Sequence, residues 1–195
     1  MAVQLLESIA PLPEGVEAFL QKRLTVRSFA AKEYLLHAGD NSDRLSFVAS
    51  GLVRIFSDTP SKLGASDKEV CNWFLMEGDV AISVESFFEQ TVSEEYIQAL
   101  EPTVTVSLSR DELADVYKRF PTFNYHGRIL TQRYYVQAVR QLKALRYKRA
   151  DDSYKYLAEQ FPKILQRVPS RYLASYLGVN ETYLSTLRSR NLIGP

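Results

Sequence analysis

The sequence contains a single cysteine, Cys71, among its 195 residues. One thiol cannot form an internal disulfide, a cysteine-based zinc site or a four-thiolate iron–sulfur cluster, so these are excluded. No run of about 18 apolar residues is present, so we expect no membrane-spanning helix and no membrane partner. The first ten residues contain no basic stretch followed by an apolar run. We therefore expect no secretory signal and a cytoplasmic location.

Histidine is also scarce, because only His37 and His126 are present and they lie far apart in the chain. A cupin-type metal centre needs several His and carboxylate ligands on neighbouring strands. The sequence has no Ser-His-Asp or Cys-His arrangement, no Walker loop and no dinucleotide fingerprint that we can place. We expect the two histidines to be surface or core residues, and Cys71 to be a buried apolar filler. The protein is therefore expected to hold no metal or cofactor and not to be an enzyme.

Apolar residues make up 46% and charged residues 24% of the chain, which is typical of a globular protein. The net charge of +1 hides a strong asymmetry. Residues 1–120 carry 11 Lys and Arg against 19 Asp and Glu, a net charge of −8. Residues 121–195 carry 13 Lys and Arg against 4 Asp and Glu, a net charge of +9. This asymmetry suggests a polyanionic partner, although a solvated basic helix or docking of the basic half on the acidic half would also explain it.

The chain between residues 25 and 110 is composed of short β-type segments separated by turn residues. We predict strands at 24–29, 33–37, 44–50, 52–57, 70–76, 96–100 and 103–109, with turns at 38–41, 50–51, 60–67 and 77–79. Many short strands at this spacing favour an antiparallel barrel or jelly roll. We also predict a helical region with a break over residues 1–24, and a short helix at 84–90.

After residue 110 the periodicity becomes helical. We predict helices at 111–120, 123–145 and 151–160. The long helix carries a mainly apolar stripe that could pack on the barrel or on a second copy of itself.

Residues 170–189, SRYLASYLGVNETYLSTLRS, match a helix-turn-helix pattern. A small residue, Ala174, stands where the two helices must approach, and Gly178 stands in the turn, where positive φ is needed. Asn180 is a suitable N-cap for the second helix, and apolar residues occupy the inward positions. An ordinary antiparallel helix pair would also fit this pattern. DNA binding is favoured because the motif and the charge agree.

We expect the DNA-contacting residues to lie on the second helix and at the start of the first, where hydrogen-bonding side chains suit base edges and phosphates. They are Ser170, Arg171, Asn180, Glu181, Thr182, Tyr183, Ser185, Thr186, Arg188 and Arg190. The upstream residues Lys163 and Arg167 could neutralise flanking phosphates.

The whole chain resembles the Crp–Fnr family of bacterial transcription regulators. Residues 34–56, with turn glycines at Gly39 and Gly51, look like the family's cyclic-nucleotide-type barrel. Residues 78–83 look like the start of its phosphate-binding cassette. Residues 168–178 look like the DNA-binding module of Bacteroidetes-type members.

The resemblance implies an α+β fold with three parts. An N-terminal antiparallel β-barrel or jelly roll, cyclic-nucleotide-binding-like, would span residues 1–120 as the sensor domain. A long dimerisation helix would span 121–147, and a C-terminal helix-turn-helix DNA-binding domain would span 148–195.

The family also implies a homodimer, whose recognition helices would enter successive major grooves of a near-palindromic double-stranded operator. RNA polymerase is a further partner that such a regulator would meet. The expected dimerisation residues lie on the long helix and are Ile129, Gln132, Tyr135, Val136, Val139 and Leu142.

The resemblance places an effector pocket at the cassette. Its residues are Gly78, Asp79, Val80, Ala81, Ile82, Ser83, Glu95 and Tyr96. In nucleotide-binding members a Gly-Glu pair and a later Arg hold the ribose and the cyclic phosphate. Here Asp79 replaces the Glu, and residues 91–98 contain no Arg or Lys but two glutamates. We therefore expect no binding of cyclic AMP or cyclic GMP, and an effector that is unknown or absent. Tyr96, Trp73 and Phe74 could line a different pocket or be part of the core.

The second helix departs from the best-known members, because Glu181, Thr182 and Thr186 stand where they carry an Arg-Glu pair and a later Arg. The operator sequence therefore does not transfer. The sequence reaches Pro195 soon after this helix, so we expect the family's usual wing to be missing. An alternative function is a small-molecule-binding module whose helical tail contacts a protein partner.

Overall fold

The structure is a computed structural model that describes residues 2–59, 68–147 and 149–192. The turn predicted at 60–67 lies outside the described residues. The chain forms two compact units, the first of residues 1–55 and 75–134 and the second of residues 56–74 and 135–195. The three functional domains predicted from the sequence stay predictions.

The first unit begins with two short helices, α1 (Ala2–Glu7) and α2 (Val16–Gln21), as the break at 11–13 predicts. Their apolar sides pack on the helix that follows the strands and on the last strand itself. The cluster of buried residues there consists of Leu6, Val16, Leu20, Leu108, Val116 and Phe123. The N-terminal helices therefore cover one end of the β-structure.

In the described part of the chain, eight strands form two four-stranded sheets, which confirms the predicted β-rich domain. The strands are β1 (Thr25–Phe29), β2 (Tyr34–Leu36), β3 (Arg44–Ser50), β4 (Leu52–Thr59), β5 (Lys68–Met76), β6 (Val80–Ala81), β7 (Tyr96–Ala99) and β8 (Thr103–Ser109). The orders are β1-β8-β3-β6 and β2-β7-β4-β5. Because β8 lies between β1 and β3, the topology is that of a jelly roll rather than a meander.

The turn between β3 and β4 requires glycine at Gly51, whose φ is +103°. A Cβ there would lie 2.4 Å from Thr103 Oγ1 and 2.7 Å from the Thr103 Cα. Both the left-handed backbone and the close approach of the 102–103 backbone therefore exclude a side chain.

Helix α3 (Val84–Glu89) lies between β6 and β7, and α4 (Arg110–Arg119) follows β8. Ser109 and Glu112 form a reciprocal capping box at the start of α4. A short 3-10 turn (Pro121–Phe123) leads into the long helix α5 (Asn124–Tyr147), close to the predicted 123–145.

The second unit contains α6 (Ala150–Gln160), α7 (Pro162–Arg167), α8 (Ser170–Leu177) and α9 (Glu181–Leu192). Its core includes Leu157, Ile164, Leu173, Leu184 and Leu187, all at most 5% exposed.

The edge of β5 is held by side chains of the same unit. Ser175 Oγ donates to the Glu69 carbonyl (2.8 Å) and accepts from the Cys71 N–H (3.1 Å). Gln141 Nε2 donates to the Asn72 carbonyl at 2.8 Å. Cys71 itself is 3% exposed, which fits the predicted apolar filler. An edge strand covered in this way is not free to pair with another chain.

The sequence patterns predict neither the strand β6, nor the helix α7, nor the short 3-10 turn at Pro121–Phe123. The strand β6 has only two residues, too few to show an alternating pattern. The helix α7 begins at Pro162, which the sequence analysis treated only as the end of the preceding helix. Proline suits the first turn of a helix because its missing N–H has no partner there.

Candidate functional site

The helices α8 and α9 are joined by three residues, 178–180, in which Gly178 has φ +67°. The Val179 N–H donates to the Ala174 carbonyl at 3.0 Å and closes the end of α8. Asn180 Oδ1 accepts the Tyr183 N–H at 2.7 Å, so the predicted N-cap is present. The local geometry of the turn therefore follows from glycine and asparagine at these two positions.

The inward side of α9 consists of Leu184 and Leu187, which are 1% and 0% exposed. The helix α8, which contacts α9, buries Leu173 and Ala174 in the same unit. The opposite side of α9 is open to solvent. Its exposed residues are Glu181, Thr182, Tyr183, Ser185, Thr186, Ser189 and Arg190. The residues predicted to contact DNA on α9 therefore share one accessible polar surface, with Arg188 half-buried at its margin.

Arg188 is also tied to the first helix. Its Nη1 donates to Ser170 Oγ at 2.8 Å, which places the cation at the N-terminus of α8. Arg171, the next residue, is exposed and its guanidinium lies 4.4 Å from the Tyr172 ring centroid. Three predicted DNA-contacting residues thus lie at one end of α8, where unpaired N–H groups favour an anion.

An acidic residue outside the predicted set of DNA-contacting residues lies beside the same surface. Asp151 Oδ2 accepts from the Tyr183 hydroxyl at 3.2 Å, and Oδ1 lies 3.9 Å from Arg190 Nη1. The signal available was its charge, since Asp151 is one of only four acidic residues after position 120. Asp151 therefore holds two of the predicted contact residues.

Residues of the predicted effector pocket take part in two hydrogen-bonded groups, one around Asp79 and one around Ser83. Gly78 has φ +92° in the turn after β5. The Asp79 carboxylate accepts the Met76 N–H at 2.9 Å. It also accepts from the Tyr134 hydroxyl, which in turn accepts the Val80 N–H at 2.7 Å. Asp79 is thus engaged within its own turn and with α5.

Burial raises the pKa of Asp79, against the lowering effect of its hydrogen bonds to Met76 and Tyr134. Burial likewise raises the pKa of Tyr134, so that its hydroxyl stays protonated and donates to Asp79. The turn and the helix are therefore joined by a largely dehydrated hydrogen-bond chain.

Ser83 and Glu95 of the cassette form a hydrogen-bonded cluster with Ser93. Ser93 Oγ donates to Ser83 Oγ at 3.0 Å, and Ser83 Oγ donates to Glu95 Oε2 at 3.3 Å. Ser83 and Ser93 are 2% and 3% exposed. Val80 and Ala81 are buried strand residues, and Ile82 packs beside the cluster of Phe47 and Val80. A phosphate would meet a carboxylate here rather than a cation.

The aromatic and imidazole side chains of interest lie in three places. Tyr96 is in a surface group with Tyr34 and His37, whose rings stack at 4.2 Å centroid separation. His126 is 2% exposed, and its Nε2 lies 3.0 Å from the Ala10 carbonyl. His37 is therefore a surface residue and His126 a core residue, and the two do not form a pair of ligands. Phe74 is 6% exposed and packs on Tyr176, as part of the core.

The outer face of α5 carries the residues predicted for dimerisation. At 100° per residue, Ile129, Gln132, Tyr135, Val136, Val139 and Leu142 share one face. Tyr135, Val136 and Leu142 are 70%, 46% and 56% exposed. Leu130 and Tyr134, on the other face, pack beside the Phe47–Val80 cluster. The exposed face is the more apolar one, which is unusual for a helix without a partner.

Within the described ranges, no helix is both long and apolar enough to cross a bilayer. The same residues offer no group of three or more His, Cys, Asp and Glu side chains suited to a metal ion.

The sequence profile of the cyclic nucleotide-binding domain matches residues 26–120. No curated protein sequence matches the chain. The c-di-GMP-responsive global regulator CLP of Xanthomonas campestris is similar in structure, with a TM-score of 0.69 at 15% identity over 92% of each chain. FixK2 of Bradyrhizobium japonicum gives a TM-score of 0.67 at 17% identity, over 86% of this chain and 83% of that one.

The catabolite activator protein of Thermus thermophilus gives a TM-score of 0.57 at 22% identity, over 98% of this chain and 91% of that one. Identities this low show a shared fold. Residues 26–120 are therefore similar in sequence to cyclic nucleotide-binding domains, and the chain shares its fold with these three proteins.

Proposed function

We propose that this protein is a DNA-binding transcription regulator of the Crp–Fnr type. It acts as a homodimer on a near-palindromic operator, in the cytoplasm, with RNA polymerase as a further partner and without a catalytic step. Its sensor barrel does not bind cyclic AMP.

The observation that carries the proposal is the exposed polar surface of α9. Leu184 and Leu187 fix the helix on its core, so the residues around Thr182 and Thr186 are presented outward. Their hydroxyls, with the guanidinium of Arg190, are groups that bond base edges and phosphates. An α-helix held in this way fits the major groove.

Charge supports the same proposal. Residues 121–195 carry a net charge of +9, and they include Lys163, Arg171 and Arg190 on exposed surface. Binding of such a surface to DNA releases counterions, so the affinity falls steeply as salt rises.

The outer face of α5 supports the homodimer. Tyr135, Val136 and Leu142 expose apolar side chains at helical spacing, as helices that pair with a second copy do. Two copies of α9 related by a two-fold axis would suit two half-sites separated by about one turn of DNA, about 10 bp.

The cassette supports a barrel that does not take a cyclic nucleotide. The Asp79 carboxylate is committed to the Met76 N–H and Tyr134, and residues 78–98 contain no Lys or Arg. A cyclic phosphate needs a cation or several aimed N–H groups, and Glu95 would repel it.

Fluorescence polarisation with a labelled 30-bp duplex pool tests DNA binding. We expect saturable binding at low salt that weakens steeply between about 50 and 200 mM salt. Arg188→Ala should weaken the affinity, because it removes the cation beside Ser170. No binding to any duplex at low salt would contradict the proposal. It would favour the alternative, a small-molecule-binding module whose tail contacts protein.

Thermal-shift measurements with cyclic AMP and cyclic GMP test the barrel. We expect no change in the unfolding midpoint, because a ligand that does not bind the native state cannot stabilise it. A dose-dependent rise with either nucleotide would overturn this part of the proposal and leave DNA binding untouched.

A further inference from the structure

The inner face of the first sheet carries buried hydroxyls along its central strand. Thr103, Thr105 and Ser107 alternate along β8 and are 1%, 0% and 0% exposed. The opposite set on the same strand, which includes Val104 and Val106, is apolar. Side chains alternate between the faces of a strand, so the hydroxyls all point to one side. A row of three buried hydroxyls replaces the aliphatic side chains that would ordinarily fill a barrel.

Two arginines flank this row on neighbouring strands. Arg27 of β1 lies directly opposite Thr105, and opposed residues share a face of the sheet. Arg44 of β3 reaches the same strand, since its Nε donates to Ser107 Oγ at 3.2 Å. Among the described residues, neither guanidinium forms an ion pair with a carboxylate. Two arginines that form no ion pair among the described residues therefore lie on the face of the sheet that carries the hydroxyls.

A cavity of about 40 Å³ has both arginines in its lining. Arg27, Arg44, Ser42 and Ser46 line it together with apolar residues such as Leu36. Binding pockets for drug-sized ligands measure about 300–1,000 Å³, so a nucleotide does not fit. A space for one water needs about 10–15 Å³, so this cavity suits a few heavy atoms, such as a carboxylate or phosphate head.

One buried hydroxyl on β8, the strand between the two arginine-bearing strands, has no hydrogen-bond partner. Among the described residues, Thr105 Oγ1 bonds to nothing, although Thr105 is fully buried. The neighbouring Ser107 Oγ, by contrast, donates to the Thr25 carbonyl at 3.3 Å and accepts from Arg44. Buried polar groups are nearly always paired, because an unpaired one loses its bonds to water without replacement. Thr105, which lies opposite Arg27, thus has an unused donor on the face of the sheet that carries both arginines.

We propose that the barrel binds a small oxyanion, a carboxylate or phosphate group, between Arg27 and Arg44. The two guanidinium groups supply the charge, and the Thr105 hydroxyl donates to the anion. Asp43 lines the rim of the cavity and opposes the anion by its like charge. The cavity shares Ala81 with the cassette, but its cations come from β1 and β3. It stands apart from DNA binding, so its binding can be measured whether or not the protein binds DNA.

Isothermal titration calorimetry on the full chain tests the site, with inorganic phosphate and sodium acetate as separate probes at constant ionic strength. We expect saturable binding of one anion per chain. Binding of phosphate would indicate a phosphate ligand, and binding of acetate would indicate a carboxylate ligand. Arg27→Met should weaken the affinity about tenfold or more, because a charge-assisted bond is lost. Arg133→Met removes an exposed charge of α5 and should leave the affinity unchanged.

Thr105→Val and Asp43→Asn separate binding from folding. Thr105→Val should weaken the anion affinity. The unfolding midpoint of the anion-free protein should rise or stay unchanged, because the variant removes an unpaired buried hydroxyl. Asp43→Asn should tighten binding. The proposal is overturned by the absence of saturable binding of either probe, or by binding that Arg27→Met leaves unchanged. A fall of the unfolding midpoint in Thr105→Val would also overturn it, since the hydroxyl would then be paired in the anion-free protein.

Discussion

Asp151 shows at the scale of single residues how an acidic group can restrain a basic surface. Its carboxylate takes the Tyr183 hydroxyl and lies near the Arg190 guanidinium, two side chains that we propose for DNA contact. A phosphate brought to this surface would compete with Asp151 for both. The carboxylate also repels the DNA backbone directly.

We therefore expect Asp151→Asn to tighten DNA binding. The gain should be about two- to fivefold, the range that an exposed ion pair contributes. Asp152→Asn is the matched control, since it removes the same charge from the exposed neighbouring residue. Polarisation titrations of both variants measure the effect. Equal affinities of the two variants would mean that the gain comes only from the change in net charge. Weaker binding of Asp151→Asn would show that Asp151 positions Tyr183 for contact.

Asp79 gives a prediction for pH. Burial raises its pKa in the folded protein above the ordinary value of 3.8. The folded state thus holds the proton more firmly than the unfolded chain. The contribution of Asp79 to stability is present below about pH 4 and is lost as pH rises through the raised pKa.

We expect Asp79→Asn to remove this loss. The free energy of unfolding of the variant, relative to the native protein, should increase between about pH 4 and pH 7, because the variant has no carboxylate to ionise under burial. Urea titrations at several pH values measure the difference. If the free energy of unfolding of the variant, relative to the native protein, falls with rising pH, the hydrogen bonds of Asp79 to Met76 and Tyr134 have a larger effect on its pKa than burial.

At the scale of elements, the turns of the β-domain offer a paired test of glycine. Gly39 and Gly51 have similar φ values, +91° and +103°, but only Gly51 faces backbone atoms within 3 Å of an added Cβ. Gly39→Ala carries the strain of a left-handed residue, about 1–2 kcal/mol. Gly51→Ala adds overpacking, for a total of about 2–4 kcal/mol.

Urea unfolding of the two variants measures this difference directly. We expect Gly51→Ala to lose more free energy of unfolding than Gly39→Ala. Equal losses would mean that the backbone near Thr103 moves aside at little cost.

The strands and helices with strong periodicity could be predicted from sequence, and those without it could not. The strands β3 and β8 were predicted at their observed bounds, 44–50 and 103–109, because alternation and flanking turn residues mark both ends. The strand β6 has two residues and exists only because β3 pairs with it. Its pairing is a tertiary contact that no local pattern records.

Side-chain partnerships in the candidate site were less predictable than its helices. The pattern at 170–189 placed Leu184 and Leu187 inward, and both are buried. It did not place Asp151 beside Tyr183, since 32 residues separate them in sequence. Nor did it show that Asp79 turns to Tyr134 of α5. Contacts between elements depend on how the helices and strands pack, and a motif describes only one of the partners.

At the scale of the whole molecule, the outer face of α5 predicts association of two copies. Leu142 is 56% exposed and shares this face with Tyr135 and Val139. Leu142→Glu should convert a dimer to a monomer, because a carboxylate would be buried in an apolar helix pair. Sedimentation velocity measures the mass.

Arg133→Glu is the control for this variant. Arg133 is exposed on the same helix, but to the side of the apolar face, so the variant should stay dimeric. A native protein that is monomeric at micromolar concentration would contradict the assignment of the face.

Selection of bound duplexes from a random 30-bp pool tests the central claim, that the chain is a homodimeric reader of DNA sequence. The full chain is incubated with the pool at moderate salt, and the retained duplexes are sequenced over several rounds. We predict an inverted repeat whose half-sites are about 10 bp apart from centre to centre. Recovery of an unenriched pool, or of a lone half-site without its repeat, would contradict the account.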